Sequence, residues 1–372
     1  MTNEDSGNYV LAADVRSDGQ VELREAYPTG GLGLHGINGG TTGPDGLFGQ
    51  GCVAISNVTN MLAAVNPGSG TVSLFSISPS DPSNLTLVGQ PVRSGGQWPT
   101  SVTFNKAGDA VCVLNGGEVN GVSCFSVEQN SGLMPLADTT RYLSINQTTP
   151  AAGPTNTVSQ ILFSSDSSKL LVAYSGTTSA APGYLGYYDV GVNGTLSTKF
   201  SAIAPAAGGA LPFSITPMPG QEVYVVADPA LGLEVFDLTG ANRSSAVGIS
   251  GQGATCWSTY SPSTRSYLLI DAQGRIFEAT IDAATLQSTV VGNYSTQFIG
   301  DGLIDSDVMT INGTDYMFTL AAGITSLKVF ALPGPGRLQS IQQFNITAAV
   351  EPVGIVVSSS MQGMVTYAKQ EQ

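Results

Sequence analysis

Apolar and polar residues alternate with a period of two in short runs along most of this chain. The clearest stretch starts at Pro99 and reads PTSVTFNKAGDAVCVLNGGEVNGVSCFSVEQNSGLMPL, with residues such as Gly, Asn and Asp between the runs. A period of two places successive side chains on opposite faces, which is typical of β-strands. The stretch therefore predicts four consecutive strands joined by short turns and a Gly-rich loop.

The same succession of strands and turns recurs about every fifty residues. Weaker copies start near Gly51, Thr157, Pro212, Ala254 and Asp301. A repeat that contains only strands cannot bury its faces alone, so it must pack against neighbouring repeats. Four-stranded units of this length are typical of the blades of a β-propeller.

The repeat divides the chain into six complete blades and one blade shared between the two ends. The complete blades cover residues 50–96, 97–148, 153–209, 210–252, 253–297 and 298–347. Residues 9–26 predict two strands and residues 352–369 predict two more, which together would close the ring without a free sheet edge. We therefore expect a single all-β domain, a seven-bladed β-propeller with one blade formed by both termini. The alternative is six blades with a separate terminal sheet.

One segment, residues 27–50, does not follow the repeat. It reads YPTGGLGLHGINGGTTGPDGLFGQ and consists mostly of Gly, Thr, Pro and apolar residues. It is too long for a hairpin loop, and loops of this length in compact domains are usually functional or disordered. No strand followed by a helix surrounds its glycines, so they do not indicate a nucleotide site.

Composition narrows the range of partners. The 372 residues include 46 Gly, only 11% charged residues and a net charge of −14. Such an acidic chain repels phosphate groups, so we expect neither nucleic acid nor anionic lipid as a partner. No run of about 18 apolar residues occurs, so we expect no membrane span.

Eight Asn-x-Ser/Thr acceptors indicate passage through the secretory pathway. They are Asn57, Asn84, Asn146, Asn193, Asn242, Asn293, Asn312 and Asn345. The Asn, Ser and Thr content would give roughly four by chance. Residues 1–5 resemble the start of a mature protein from which an export signal has been removed. We therefore predict a secretory-pathway or extracellular protein that is N-glycosylated.

Two of the four cysteines are placed to form a disulfide. Cys112 and Cys124 flank the turn LNGGEVNGVS, and hairpin symmetry about Glu118 places them opposite one another. A cross-strand disulfide is then geometrically feasible, and two buried free thiols are the alternative. Cys52 and Cys256 fall on innermost strands of non-adjacent blades, so we do not pair them.

The sequence of the second blade also resembles that of a known family. VLNGGEVNGVSCFSV followed by GLMPLADTTRYLSI is similar to the lactonase family of seven-bladed propellers. That family includes 6-phosphogluconolactonases and fungal 3-carboxy-cis,cis-muconate lactonizing enzymes. The resemblance implies the propeller fold. It also implies His, Arg and Glu chemistry at one mouth of the propeller, on substrates that carry carboxylates or a phosphate.

The chain departs from that chemistry in its basic residues. Its one His, His35, lies in the irregular segment, and most of its eight Arg fall in predicted turns or outer strands. Arg141, in the TTRYL motif, is best explained as a structural partner of a carboxylate. A polyanionic substrate would need a dense basic pocket, usually built with Arg. We therefore expect a small-molecule substrate that is mostly apolar or planar and at most weakly charged.

Residues at the start of the innermost strands would line one mouth of the central channel, a natural concave pocket. The predicted substrate-binding residues are Phe48, Gln50, Gln97, Trp98, Asn156, Thr157, Phe213 and Trp257. Aromatic and amide side chains can clamp a planar molecule and hydrogen-bond its carbonyl group. Three predicted catalytic residues, His35, Asp301 and Glu351, could instead have structural roles. No Cys/His or Asp/Glu set has metal-ligand spacing, so we expect no metal or other cofactor, and calcium held by backbone carbonyls and Asp is the alternative.

Three functions are consistent with these residues. The first is a cofactor-independent ring-forming enzyme. Its best example is a hetero-Diels–Alder type reaction of a quinone methide with an alkene in fungal secondary metabolism, as in fungal relatives that the chain resembles. Such a reaction needs orientation, exclusion of water and a donor to a carbonyl. The second is a lactone hydrolase or muconate-type cycloisomerase, which needs a general base. The third is a non-catalytic secreted binder of lipids or phenolics.

Overall fold

Six antiparallel sheets, each made of consecutive strands, form the blades of a β-propeller. The computed structural model describes residues 1–40, 42–295 and 300–368. In each blade the first strand pairs with the second, the second with the third and the third with the fourth. The repeat predicted this all-β architecture because each alternating run lies beside the next run in both sequence and space.

Two strands precede the blades, and the first three blades follow them along the chain. The preceding strands are β1 (Tyr9–Val15) and β2 (Val21–Pro28). The first blade contains β3 (Val53–Ser56), β4 (Met61–Asn66), β5 (Thr71–Ile77), β6 (Leu85–Leu87) and the short β7 (Val92–Arg93). The second contains β8 (Pro99–Phe104), β9 (Ala110–Asn115), β10 (Gly121–Glu128), β11 (Gly132–Pro135) and the short β12 (Arg141–Tyr142). The third contains β13 (Thr157–Phe163), β14 (Lys169–Ser175), β15 (Tyr184–Val190) and β16 (Leu196–Ile203).

The remaining three blades have four strands each. The fourth blade contains β17 (Ser214–Pro217), β18 (Val223–Asp228), β19 (Gly232–Asp237) and β20 (Ser245–Gly248). The fifth contains β21 (Thr255–Ser261), β22 (Ser266–Asp271), β23 (Arg275–Ile281) and β24 (Ser288–Ser295). The sixth contains β25 (Leu303–Ile311), β26 (Thr314–Ala321), β27 (Ser326–Gly334) and β28 (Arg337–Asn345). The helix α1 (Ile346–Val350) follows, and no helix in the described ranges has the length and apolar character needed to cross a membrane.

The prediction of a seventh blade is wrong, and the alternative of six blades with a separate terminal sheet matches the structure. β1 and β2 form a two-stranded sheet of their own, and residues 354–368 contain no strand. The C-terminal residues are held by side chains instead of a strand ladder. The amides of Gly363 and Thr366 donate to the carboxylates of Asp305 and Asp307, at 2.8 and 2.7 Å.

The terminal segments lie between the first and sixth blades. The Asn8 side chain donates to the Asn66 side chain at the end of β4, at 3.0 Å. On the other side, the Val21 amide donates to the Gln342 side chain on β28, at 2.6 Å. Apolar residues of β1 pack into the cores of both neighbouring blades. The terminal segments therefore bridge the two end blades of the ring.

The predicted disulfide is confirmed. Cys112 and Cys124 are directly opposite one another in the β9–β10 ladder and are bonded. The strand register explains this pairing, because the turn between them is symmetric about its centre. Cys52 and Cys256 are free and buried, and burial raises the pKa of both thiols well above its ordinary value.

The last residue of several second strands fixes the loop that enters the first strand of the same blade. Asp228, at the end of β18, accepts hydrogen bonds from the amides of Ala210 and Leu211 at 2.7 and 3.1 Å. Asp271, at the end of β22, similarly accepts from the amide of Ala254 at 3.1 Å. These carboxylates satisfy backbone donors that would otherwise be buried without partners. They set the shape of the mouth at which the site was predicted.

Candidate functional site

The end of the irregular segment passes through the centre of the ring. We call residues 45–51 the plug. Within it, the Gln50 amide donates to the Ser159 carbonyl at 2.9 Å, and the Gln50 carbonyl accepts from the Ser101 hydroxyl at 2.8 Å. The Gln50 side chain exchanges two hydrogen bonds with the Ser258 backbone, at 3.1 and 3.2 Å. The plug is thus bonded to the first strands of the second, third and fifth blades and occupies the central channel.

Four predicted substrate-binding aromatics converge around the plug, but they are closed to solvent. Phe48 and Trp98 have ring centroids 5.9 Å apart, and Phe213 and Trp257 have centroids 5.4 Å apart. None of the four side chains is more than 1% exposed. The Trp257 indole N–H donates to the Gly49 carbonyl at 3.2 Å, whereas the Trp98 indole N–H has no partner among the described residues. The chain itself therefore occupies the predicted aromatic pocket.

The polar members of the predicted binding set take part in loop contacts. Gln97 accepts a hydrogen bond from the Thr149 hydroxyl at 2.7 Å. Asn156 accepts one from the Tyr174 hydroxyl at 2.7 Å, and the buried Thr157 hydroxyl donates to a nearby backbone carbonyl at the same distance. These contacts stabilise the loops at the mouth. In this conformation they engage the polar side-chain atoms that were predicted to bind a substrate.

His35 holds the irregular segment in shape. Its Nδ1 lies 2.6 Å from the Gly36 carbonyl oxygen, and its Nε2 lies 2.7 Å from the Gly43 carbonyl oxygen. Both ring nitrogens therefore face carbonyl oxygens of the irregular segment itself. The geometry therefore gives His35 a positioning role for the loop that leads to the plug.

The other two predicted catalytic residues lie apart from His35. Asp301 forms an ion pair of 2.6 Å with Lys328, and both side chains are largely buried. Glu351 is exposed at the start of a short 3₁₀ turn after α1. The structure does not bring these two acids together with His35, so the three do not form one acid–base group.

Two buried carboxyls that the sequence analysis did not single out hold the plug in place. Asp45 Oδ1 accepts hydrogen bonds from the Gly49 amide at 3.2 Å and from the Gln362 side-chain amide at 2.8 Å. Asp305 Oδ2 accepts from the Gly363 amide at 2.8 Å. Asp45 is the only acidic residue in residues 27–50, so the sequence alone could have indicated it as a candidate site residue.

Burial perturbs both carboxyls in the same direction. Desolvation raises the pKa of Asp45 to about 7, and repulsion from Asp305 adds to this effect. Desolvation likewise raises the pKa of Asp305 to about 7, while hydrogen bonds from the amides of Gly363 and Gly51 oppose the increase. A carboxyl that titrates near neutrality can act as both general base and general acid.

Five residues near the plug have a left-handed backbone, as do ten other non-glycine residues elsewhere in the described parts of the chain. Asp45, Phe48, Trp98, Asn156 and Asp305 have φ values of 69°, 51°, 54°, 59° and 30°. These values lie in the left-handed region, which bulky residues rarely adopt. Strain of this kind tends to persist at functional sites, where the surrounding structure enforces it.

Comparison with known proteins identifies the fold. No protein-family model and no curated protein matches the sequence. A putative 6-phosphogluconolactonase from Bacteroides fragilis is 16% identical, with a TM-score of 0.64 over 92% of this chain and 93% of that one. The periplasmic gluconolactonase of Pseudomonas aeruginosa is 14% identical, with a TM-score of 0.62 over 91% of this chain and 96% of that one. At these identities the likeness shows the fold alone, a β-propeller like those of structures described as lactonases.

Proposed function

We propose that this protein is a lactone hydrolase in which Asp45 and Asp305 provide acid–base catalysis. The observation that carries the proposal is the pair of buried carboxyls, both with a pKa of about 7, at the centre of the ring. The similarity of the fold to structures described as gluconolactonases adds support. Hydrolysis of a lactone requires a base for water and an acid for the leaving oxygen, and such carboxyls can supply both.

The reaction can be written with one carboxyl of this pair, acting first as base and then as acid. One carboxylate takes a proton from water while the water oxygen forms a bond to the lactone carbonyl carbon. The tetrahedral intermediate collapses, the ring C–O bond breaks, and the leaving oxygen receives the proton back from the carboxyl to give a hydroxy acid. The unpartnered Trp98 indole N–H is a donor for the carbonyl oxygen as it becomes negative. Substrate entry requires Phe48, which is fully buried, to swing aside.

The charge of the substrate follows from where the arginines lie. Arg16, Arg24 and Arg243 form ion pairs with acids close to them in sequence. Arg141 donates to backbone carbonyls of β16, on the outside of the third blade. Two of these four arginines lie on the terminal sheet and two in outer strands and loops of the blades, where each already has partners. The proposed substrate is therefore a neutral or weakly charged lactone, in contrast to the phosphorylated substrate in the name of the Bacteroides protein.

A panel of lactones with and without a phosphate group tests this proposal. We expect turnover of neutral lactones above the spontaneous rate, with kcat/KM rising as pH passes about 7 and then levelling, because the base must be deprotonated. The measurement is the pH dependence of kcat/KM, corrected for hydrolysis without enzyme. No turnover, or turnover that does not vary between pH 5 and 8, would contradict the proposed base.

A ring-forming reaction is the second candidate, supported by one observation. The Trp98 indole N–H lies unpartnered beside the Phe48 ring, an arrangement suited to holding a planar carbonyl compound. A hetero-Diels–Alder reaction would depend on this donor and not on the two carboxyls. Trp98→Phe would then slow adduct formation, whereas Asp45→Asn would leave it unchanged.

We also propose that the protein passes through the secretory pathway and is N-glycosylated. All eight acceptor asparagines are exposed. Of the ten other asparagines, all within the described residues, Asn130 alone is exposed. An acceptor must be exposed to carry a glycan, so this difference in exposure between acceptor and other asparagines supports N-glycosylation. The Cys112–Cys124 disulfide is also typical of proteins that mature in an oxidising compartment.

Expression through the secretory pathway of a eukaryotic cell should yield a glycosylated protein. Treatment with an N-glycosidase is expected to reduce its mass in several discrete steps when digestion is partial. Asn242→Gln should remove one step, because Asn242 is exposed in the loop between β19 and β20, whereas Asn130→Gln should remove none. Intact mass spectrometry measures both, and a mass equal to that of the bare chain would overturn the prediction.

A further inference from the structure

One side chain from the C-terminal part of the chain contacts three residues of the plug. Gln362 is fully buried, and its Oε1 accepts a hydrogen bond from the Leu47 amide at 2.8 Å. Its Nε2 donates to the Gly49 carbonyl at 2.6 Å and to Asp45 Oδ1 at 2.8 Å. Gln362 therefore connects Asp45 to the residues that follow it in the plug.

The two backbone partners determine which way the side-chain amide of Gln362 faces. The Leu47 amide can only donate, so it requires the side-chain oxygen, and the Gly49 carbonyl can only accept, so it requires the nitrogen. The same nitrogen supplies the hydrogen that reaches Asp45. Gln362 can therefore donate to Asp45 but cannot accept a hydrogen bond or a proton from it.

These contacts make the two carboxyl oxygens of Asp45 different. Oδ1 accepts from Gln362 and from the Gly49 amide, at 2.8 and 3.2 Å. Two donors use both lone-pair positions of one carboxylate oxygen, so a proton taken up by Asp45 binds Oδ2. In the described ranges, Gln362 is the only side chain that donates a hydrogen bond to Asp45. Gln362 and one backbone amide therefore decide which oxygen carries the proton.

Asp45 is also the member of the carboxyl pair that lies nearer to solvent. It is 8% exposed, whereas Asp305 is 1% exposed. Asp45 lies three residues before Phe48, the side chain that must move to admit a substrate. Water that enters with a substrate therefore reaches Asp45 more readily than Asp305.

We propose that Gln362 is a positioning residue that presents Oδ2 of Asp45 to water as the base of the hydrolysis. This inference rests on the proposed function and names the base within the pair. Oδ2 takes a proton from water as the water oxygen bonds to the lactone carbonyl carbon. When the ring C–O bond breaks, Oδ2 returns the proton to the leaving oxygen. Gln362 donates to Oδ1 throughout, which stabilises the carboxylate and keeps the proton on the other oxygen.

Several other titratable groups surround Asp45. They are Asp305, Cys52, Cys256, His35, whose ring approaches Gly46, and the buried Met1 amine, which faces Asp305 and Cys52. None of these groups donates a hydrogen bond to Asp45 among the contacts of the described residues. All of them are retained when Gln362 is replaced, so a change in the pH profile then reports the lost hydrogen bond.

Gln362→Met keeps the length of the side chain and removes the donor. The lost hydrogen bond favours the carboxylate, so the midpoint of kcat/KM against pH should move upward by about one to two units. With a neutral lactone, kcat/KM at pH 7 should fall roughly tenfold and recover above the new midpoint. If Gln362 only holds the plug, its loss admits water to Asp45 and relieves the desolvation. A midpoint that moves downward or stays unchanged would therefore overturn the proposal.

Gln342→Met is the matched control. Gln342 is a half-buried glutamine on β28 that also joins an amide and a carbonyl far away in sequence. Its side chain accepts from the Val21 amide at 2.6 Å and donates to the Val21 carbonyl at 3.0 Å. Its replacement should lower the Tm and leave the midpoint near pH 7. A shift as large as that of Gln362→Met would mean that the midpoint follows general stability, and the proposal would be wrong.

The Asp45→Asn background tests whether Gln362 acts through Asp45. Adding Gln362→Met to it should cause no further loss of kcat/KM, because the base is already absent. A further loss as large as in the native background would show that Gln362 acts independently of Asp45. If Gln362→Met does not fold, Gln362→Glu serves in the same comparison. Its carboxyl can still accept from the Leu47 amide and, as an acid, donate its single hydrogen to the Gly49 carbonyl.

Urea unfolding separates this inference from the proposed function. If no lactone is hydrolysed, the proposed function is wrong, but the hydrogen bond to Asp45 can still be measured. A higher pKa of Asp45 in the folded Gln362→Met variant enlarges the loss of stability between pH 5 and 8. The unfolding equilibrium constant should rise over this range by roughly five to ten times more than in the native protein. An equal or smaller rise contradicts the role of Gln362, whatever the result with lactones.

Discussion

Replacing Asp45 by Asn is expected to lower kcat/KM for lactone hydrolysis about 10²- to 10⁴-fold, the range that general acid–base groups contribute. Asn keeps the shape of the side chain and an oxygen that can accept from Gln362 and Gly49, as Asp45 does at 2.8 and 3.2 Å. It cannot take a proton from water. Asp305→Asn should also cause a loss, and the rise of kcat/KM near pH 7 should disappear only in the variant that lacks the base.

Stability measurements separate this loss from misfolding. The pKa of each carboxyl is raised from 3.8 to about 7 in the folded state, so folding binds protons between these values. The contribution of these two carboxyls to stability is therefore greatest below about pH 4, falls as pH rises towards 7, and is constant above. The Asn variants lack this dependence, so they should be at least as stable as the native protein at pH 8. Urea unfolding at pH 5 and 8 measures the difference.

Glu351→Gln is the matched control for the pair. Glu351 is exposed and lies outside the channel, so its removal should leave both kcat/KM and stability unchanged. If the two Asn variants hydrolyse lactones as fast as the native protein, the carboxyls serve only to hold the plug. If Glu351→Gln is the slow variant, the site lies at the surface and the proposed mechanism is wrong.

The blades were predictable because their information is local. Each strand follows from alternation over a few residues, and each pairing joins neighbours along the chain. The Cys112–Cys124 disulfide follows from the symmetry of one hairpin. The predicted closing blade depended on contacts between residues far apart in sequence. Residues 352–369 have the alternating pattern of strands, but no neighbouring segment of the sequence pairs with them. In the structure their amides bond to Asp305 and Asp307, which no local pattern specifies.

The candidate site was predictable in part for the same reason. Phe48, Trp98, Phe213 and Trp257 converge at the centre because first strands begin there. Their burial was not predictable, since it depends on where the irregular segment goes. That path is fixed by bonds between residues far apart in sequence, such as the one from the Leu47 amide to the Gln362 side chain at 2.8 Å. Asp45 and Asp305 were missed because their environment exists only after the plug is in place.

Gly49→Ala is expected to lower the free energy of unfolding by about 3 kcal/mol or more, at the upper end of overpacking costs. A Cβ on Gly49 would lie 2.2 Å from the Ser159 carbonyl oxygen. That oxygen belongs to β13 and accepts the Gln50 amide, so neither the strand nor the plug can move without losing hydrogen bonds. The side chain to be accommodated is a single methyl group, which isolates the effect of close backbone approach.

Gly43→Ala is the control within the same irregular segment. A Cβ there meets no atom of the described residues beyond its two chain neighbours within 4 Å, so we expect a change within about 0.5 kcal/mol. Equilibrium unfolding in urea compares the two variants. A large loss for Gly49→Ala alone would mean that the plug is part of the folded core, and that a substrate enters by local movement of Phe48. Equal stability of the two variants would mean that the whole plug leaves the channel readily, because the chain could then avoid the clash by withdrawing it.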